Sequence, residues 1–249
     1  MSHIIYYFTG TGNSLQIAKD ISKGLENAEV KKITEYKGEY IEADTFGLVF
    51  PVYNWGMPLI VCEFLRKLTI SKDTYLYAVT NFNGLPGKTL EQCKDMLEER
   101  NNKLSAGFLI QMPGNYIIGY GARSKESQEK SFAKEKKKVQ RIVSCIQSRE
   151  QRRIEKSKIG IDRLFTNRFY KEVALFPDKD REFTLDDTCI GCGLCEKRCP
   201  VQNITMQDKK PIWNHHCEQC MACIQCCPKK AINVGNITQD RERYFNPNI

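Results

Sequence analysis

The chain has 249 residues, 41% of them hydrophobic, with 38 Lys or Arg against 30 Asp or Glu, a net charge of +8, and 12 cysteines. That length suits two cores, and the apolar fraction excludes a disordered chain. No apolar stretch approaches the ~18 residues of a membrane span, and Met1-Ser2-His3 enters an apolar segment with no basic leader, so a cytoplasmic protein is expected.

Ile4–Phe8 is a short, wholly apolar run, as a strand covered on both faces would be, and Ser14–Leu25 follows with apolar residues at helical spacing. Between them lies Thr9-Gly10-Thr11-Gly12-Asn13-Ser14. A loop from a strand's carboxyl end into a helix's amino end offers free backbone N–H groups and a favourable dipole to a phosphate. The hydroxyls of Thr9, Thr11 and Ser14 and the Asn13 amide add neutral donors, so no Lys is required. The loop fits neither the P-loop nor the dinucleotide fingerprint.

Further strands are expected at Ala28–Lys32, Thr45–Val52, Thr74–Phe82 and Ala106–Met112, with helices near Pro58–Leu68 and Lys88–Asn101. Strands alternating with helices predict an α/β fold with an open, doubly wound parallel sheet. Its ligand edge would gather Thr9–Ser14, a second loop from Pro51 through Tyr53, Asn54, Trp55 and Gly56 to Pro58, and a third, Asn81-Phe82-Asn83-Gly84-Leu85-Pro86-Gly87.

Residues 124–158 read as one long polar helix, and residues 123–160 hold 13 Lys or Arg against 5 Asp or Glu, whereas the remainder balances at 25 and 25. Such a stripe is a solvated helix face, a docking surface for an acidic redox partner, or a nucleic-acid surface; the first two readings are preferred and nucleic acid is set aside. A second amphipathic stretch, Ile159–Leu175, ends at Pro177-Asp178 and would pack the last part of the chain against the first.

That last part carries Cys189, Cys192, Cys195 and Cys199-Pro200, then Cys217, Cys220, Cys223 and Cys227-Pro228, the same C-x₂-C-x₂-C-x₃-C-P run twice. Triplets of thiolates spaced by two residues suit iron–sulfur cubanes, whereas zinc sites use pairs of cysteines and disulfides imply export. The remaining cysteines, Cys62, Cys93, Cys145 and Cys226, form no framework; Cys226 reads as a small buried thiol, and His215 and His216 as surface or capping residues.

Over residues 183–240 these runs resemble the bacterial two-cluster ferredoxins. The resemblance implies two [4Fe-4S] clusters with crossed wiring: Cys189, Cys192, Cys195 and Cys227 on one, and Cys217, Cys220, Cys223 and Cys199 on the other. Thr9–Ser14 resembles the T-x-T-G-N-[ST] phosphate loop of flavodoxins, which implies FMN and strand order 2-1-3-4-5. The FMN site would then comprise Thr9, Gly10, Thr11, Gly12, Asn13, Ser14, Pro51, Tyr53, Asn54, Trp55, Gly56, Asn81, Phe82, Asn83 and Gly84. In that family Trp55 would cover one face of the flavin, with a loop aromatic anchoring an interface as the alternative, and Gly56 would let the preceding peptide turn a carbonyl toward the ring. This sequence departs from the family in having Met57-Pro58 after Trp55-Gly56 and no tyrosine in the third loop.

The whole chain resembles flavodoxin–ferredoxin fusion proteins of anaerobic bacteria. This divides it into an FMN domain (1–158), a helical linker (159–182) and a two-cluster ferredoxin domain (183–249). The expected function is an electron carrier between redox-protein donors and acceptors. The alternative is an FMN-dependent reductase of a small molecule, so enzyme status stays open. No catalytic base or nucleophile pair is found, no membrane partner is expected, and a homodimer is left open.

Overall fold

Apolar strands alternating with amphipathic helices build a single parallel sheet from the first 111 residues. The computed structural model describes residues 1–26, 28–157 and 159–249. In chain order come β1 (His3–Tyr7), α1 (Asn13–Gly24), β2 (Glu29–Lys32), the two-residue β3 (Tyr40–Ile41), β4 (Thr45–Pro51), α2 (Leu59–Lys67), the two-residue β5 (Thr69–Ile70), β6 (Tyr75–Phe82), α3 (Thr89–Glu98) and β7 (Leu104–Gln111). Five of them pair in the order β2-β1-β4-β6-β7, the expected 2-1-3-4-5, while β3 pairs with β5 beside them.

Parallel neighbours need crossover helices, so both sheet faces are covered. On one face Phe46, Leu48 and Phe50 of β4 pack with Val61, Phe64 and Leu90 of α2 and α3. On the other, Ile5, Val49 and Val79 pack with Ile17 and Ile21 of α1 and with Ile142 further along the chain. Six consecutive residues of β4 are therefore buried. Gly47 interrupts the run because it pairs with Tyr77 of β6, whose ring crosses it: a Cβ at Gly47 would lie 2.3 Å from Tyr77 Cζ.

The polar helix is shorter than the sequence suggests. α4 (Lys125–Gln147) starts at Ser124, whose hydroxyl accepts the Ser127 N–H, and ends before Arg149, which has φ of 48°. Beyond it the chain lies along β7, with Arg152 N–H donating to Ser105 O (3.0 Å) and Glu155 N–H to Gly107 O (2.9 Å). This covers the outer sheet edge, where unpaired backbone groups would otherwise face solvent. Polarity alone does not separate a solvated helix from such an edge segment, hence the overextension; residue 158, the end of the expected range, lies outside the described residues.

Next come α5 (Asp162–Phe169) and a ladder of tight 3₁₀ turns, Tyr170–Glu182, that passes through Pro177 instead of breaking there. Proline's fixed φ is compatible with such turns. The chain then forms β8 (Phe183–Leu185), α6 (Leu194–Arg198), β9 (Ile204–Gln207), β10 (Lys210–Trp213), α7 (Ala222–Cys226) and β11 (Ile232–Val234). β8 pairs with β11 and β9 with β10, both antiparallel. The two halves repeat in backbone conformation as well as sequence. Gly191, Gly193 and Gln202 have φ of 65°, 70° and 54°, and their counterparts Gln219, Met221 and Lys230 have 49°, 61° and 52°.

The hydrophobic clusters share residues from both parts of the chain. Ile117, from the loop after β7, sits among Ile204, Ile224 and Ile232. Cys220 and Ala222 join the sheet core under α2, and Tyr244 joins the core beneath α1. Among the described residues no helix is long and apolar enough to cross a membrane.

Candidate functional site

β1, β4 and β6 end at one sheet edge, and their loops open a cleft of about 940 Å³. Of the expected FMN residues, Thr9, Gly10, Thr11, Asn13 and Ser14 line it from the first loop, Pro51, Tyr53, Asn54 and Trp55 from the second, and Asn81, Phe82, Asn83 and Gly84 from the third. Gly12 and Gly56 do not. Gly12, with φ of 99°, turns its Cα toward Asn246 and Ile249, where a Cβ would lie 3.0 Å from Asn246 Cβ.

The phosphate loop is held in shape by its own side chains. Thr9 Oγ1 accepts the Gly12 N–H (3.1 Å), Ser14 Oγ donates to Asn81 Oδ1 (2.6 Å), and Asn13 Nδ2 donates to Pro113 O (2.8 Å). These groups are expected as phosphate donors; here Ser14 and Asn13 donate to Asn81 and Pro113, outside the loop, while the Thr9 hydroxyl accepts and keeps its own proton. Gln16 N–H makes the first helical bond, to Gly12 O (2.9 Å), so the N–H groups of Asn13, Ser14 and Leu15 have no intrahelical partner. An anion in the cleft would meet backbone donors at a helix N-terminus.

The second loop is a tight turn in which Tyr53 and Gly56 exchange both backbone hydrogen bonds at 2.9 Å. Asn54 (φ 47°) and Trp55 (φ 61°) both occupy the left-handed region, which for a bulky residue costs ~1–2 kcal/mol. The indole rests on Phe165 and Phe169 of α5, with ring centroids 5.3 and 5.7 Å away. Trp55 therefore both lines the cleft and anchors the linker. In this conformation the Trp55 carbonyl accepts the Thr166 hydroxyl (2.7 Å) and the Gly56 N–H is bonded to Tyr53, so the peptide turn expected of Gly56 would exchange both bonds. Gly56 also makes room for Tyr170, whose Cδ2 would lie 2.3 Å from a Cβ there.

Of the cleft residues supplied from afar, sequence reasoning marks Tyr116, in a segment that could help close the site, without giving it a role, and does not place the others there. The third loop lacks a tyrosine, but Tyr116 and Tyr120 line the cleft from the segment after β7, their rings edge-on at 6.4 Å. Phe169, Leu175 and Phe176 close it from the linker. The only signal in the sequence is the position of Met112–Tyr116, just after the fifth strand. Tyr53 Oη and Asn83 Oδ1 are buried without protein partners, and both residues face the cleft. Burial, then the nearby Cys220, Glu218 and Cys217, holds the Tyr53 phenol well above its usual pKa, so it stays a neutral donor. A polar aromatic cofactor with a phosphate fits these features.

The cysteines of the two runs gather in two places. Cys189, Cys192, Cys195 and Cys227 line one small cavity, together with Gly193 and Pro228. Cys199 lies close enough to Cys217, Cys220 and Cys223 to push their thiols up further. Burial is the larger cause, raising Cys217 to about 12 and Cys220 and Cys223 well above their ordinary value. Thiols buried this deeply become thiolates only beside a cation, and iron would supply that charge. Among the described residues no group of three or more His, Cys, Asp or Glu is placed to hold a single metal ion. Asn203 N–H and Gln219 N–H point at the sulfurs of Cys199 and Cys217, each at 3.2 Å, and such bonds tune cluster potentials.

Cys226 directs its thiol at the carbonyls of Leu194 and Cys223, as a packing residue does. His215 Nδ1 lies 2.7 Å from buried Asp180, and His216 Nε2 lies 3.1 Å from Val201 O, so both rings have protein partners. Burial raises Glu218 to about 7, opposed by the Ile60 N–H it accepts at the start of α2 (2.9 Å).

Residues 188–232 match the family described as a 4Fe-4S dicluster domain. Among curated proteins, 57 residues are 39% identical to a component of the ion-translocating oxidoreductase complex of Methanosarcina acetivorans, covering 22% of this chain and 22% of that protein. Another 58-residue match is 34% identical to an uncharacterized ferredoxin of Methanocaldococcus jannaschii, covering 22% of this chain and 32% of that protein. The chain thus spans less than a third of the length of either relative. Among solved structures, an archaeal flavodoxin is 15% identical, covers 59% of this chain and 99% of its own, and has a TM-score of 0.38. Rubredoxin oxygen:oxidoreductase from Desulfovibrio gigas is 12% identical, covers 59% of this chain and 36% of its own, and has a TM-score of 0.40. The strand order, rather than these overlaps, carries the assignment of the sheet. The chain joins a flavodoxin-like α/β sheet to a C-terminal segment that matches the 4Fe-4S dicluster domain of ferredoxin type.

Proposed function

We propose that the protein is an electron carrier holding two [4Fe-4S] clusters and one FMN. Cys189, Cys192, Cys195 and Cys227 would bind the first cluster, and Cys217, Cys220, Cys223 and Cys199 the second. FMN would occupy the cleft over the Thr9–Ser14 loop. The clusters exchange single electrons and a flavin exchanges one or two, so together they supply one-electron to two-electron coupling.

What carries this reading is the junction between the second cysteine run and the cleft. Gln219 lines the cleft, and Cys220 O lies 2.5 Å from where a Gly10 Cβ would stand. Tyr53, Cys220 and Ala222 share one core at 9%, 7% and 0% exposure, so packed protein rather than water fills the space between. Of the first run, which does not line the cleft, Cys192 is exposed and Cys189 half-exposed. The second cluster is thus assigned to the flavin and the first to a redox-protein partner.

In this reading residues 1–158 form the flavin domain, 159–182 the linker and 183–249 the cluster domain. The partner has acidic surfaces complementary to the α4 stripe, the compartment is the reducing cytoplasm, and neither nucleic acid nor membrane is a partner. The test is rapid mixing of anaerobic, reconstituted protein with a one-electron reductant while cluster and flavin absorbance are followed. A cluster-to-flavin phase whose rate is independent of protein concentration supports the relay. A rate proportional to concentration contradicts it.

A second reading, an FMN-dependent reductase of a small-molecule acceptor, draws on Glu172, Lys179 and Glu182. They line the linker side of the cleft, away from the phosphate loop. Fast anaerobic reoxidation of the reduced protein by a small organic acceptor would select it over the carrier.

A further inference from the structure

We infer that the C-terminal segment, through Tyr244 and Asn246, positions the phosphate loop and ties its shape to the second cysteine run, an inference that rests on the flavin reading of the cleft. Asn13 opens α1, lines the cleft and is 6% exposed. Its Oδ1 accepts the Tyr244 hydroxyl (2.5 Å) and Asn246 Nδ2 (3.1 Å). The Asn246 N–H donates to Thr11 O (2.8 Å), and its amide also reaches Gln16 Oε1 (2.7 Å). Tyr244 and Asn246 are 2% and 1% exposed, so solvent cannot replace these bonds.

The same segment is held from the other side. The Tyr244 N–H donates to Gln225 Oε1 (2.7 Å), and Gln225 belongs to α7, between Cys223 and Cys227. Gln225 Nε2 donates to Asn115 O (2.7 Å), and Asn115 Nδ2 donates to Cys220 O (3.1 Å). A continuous run of buried and part-buried polar contacts therefore leads from the second cysteine run to the residue whose backbone N–H starts the phosphate site.

The side-chain donors of Asn13 and Ser14 are turned to Pro113 O and Asn81 Oδ1, so phosphate affinity depends on where the backbone N–H groups point. Tyr244 and Asn246 fix that direction at Asn13 and Thr11. When iron holds the second run rigid, the same contacts favour the phosphate-binding shape. By reciprocity, bound FMN must then favour retention of the second cluster.

The test is titration of cluster-loaded protein with FMN and with riboflavin, which lacks the phosphate, read by flavin fluorescence. Tyr244→Phe is expected to weaken FMN about tenfold and to leave riboflavin affinity and iron content unchanged. In an Asn13→Ala background it should add nothing, since it acts through Asn13. Asn246→Ser, which keeps the backbone bond to Thr11, should show the same selectivity and provides the test if Tyr244→Phe does not fold. Unchanged FMN affinity, equal weakening of FMN and riboflavin, or additivity with Asn13→Ala would overturn the inference. Wild-type protein that binds neither flavin would instead overturn the flavin reading itself.

Discussion

Trp55 is held by two partners, an open cleft on one side and a pair of phenylalanine rings on the other. Its position in the second loop was legible because the loop follows a buried strand. The rings of Phe165 and Phe169 were not, since contacts more than a hundred residues apart leave no local pattern. Trp55→Ala is expected to cost about 2–3 kcal/mol in chemical denaturation, below the range for a fully buried aromatic, and to weaken FMN binding. Intact stability with intact flavin affinity would place the indole outside both roles. Gly56 teaches the complementary lesson. A glycine beside the expected flavin invites a conformational role, and the Tyr170 ring also occupies the space its side chain would need.

At the scale of elements, α5 straps the second and third loops together. Thr166 Oγ1 donates to Trp55 O and accepts the Lys88 N–H (3.0 Å), while Asp162 accepts the Gly87 N–H (2.8 Å). Thr166→Val would leave a buried carbonyl and an N–H unpaired, so thermal unfolding should register a loss of about 1–3 kcal/mol. The α1–α4 contact contains a second buried polar group. Glu135 is 1% exposed and accepts a bond from Gln16 (3.2 Å). Burial, then the nearby charge of Asp20, raises its carboxyl from 4.5 to about 7. The protonated form is the one the fold favours, so its contribution is complete below about pH 4.5 and fades as pH rises through about 7. Glu135→Gln should therefore match wild type near pH 4.5 and exceed it by about 1–2 kcal/mol at pH 8, measured by urea denaturation. Equal stabilities at both pH values would contradict the buried-acid reading. Helix α4 itself was legible from its sparse apolar stripe, but its end was not, because residues 148–157 are as polar along a sheet edge as they would be in a helix.

Across the whole molecule, the alternation of strand and helix made the parallel sheet legible and the repeated cysteine spacing marked the C-terminal segment, while the strand order came from the likeness of the Thr9–Ser14 loop to that of flavodoxins. The way the two parts meet was hidden. Gly10 is a flexible loop residue in sequence, yet it is the surface against which Cys220 rests, and the last six residues close over the start of α1. Gly10→Ala should disturb both sites at once, lowering FMN affinity and the occupancy of the second cluster, read by flavin titration and iron content. An effect on flavin alone would show that the loop yields without moving the cysteine run. The most direct measurement of the central claim is the content of anaerobically reconstituted protein: about eight iron, about eight sulfide and one FMN per chain are expected. A colourless chain that retains neither iron nor flavin after reconstitution would contradict it.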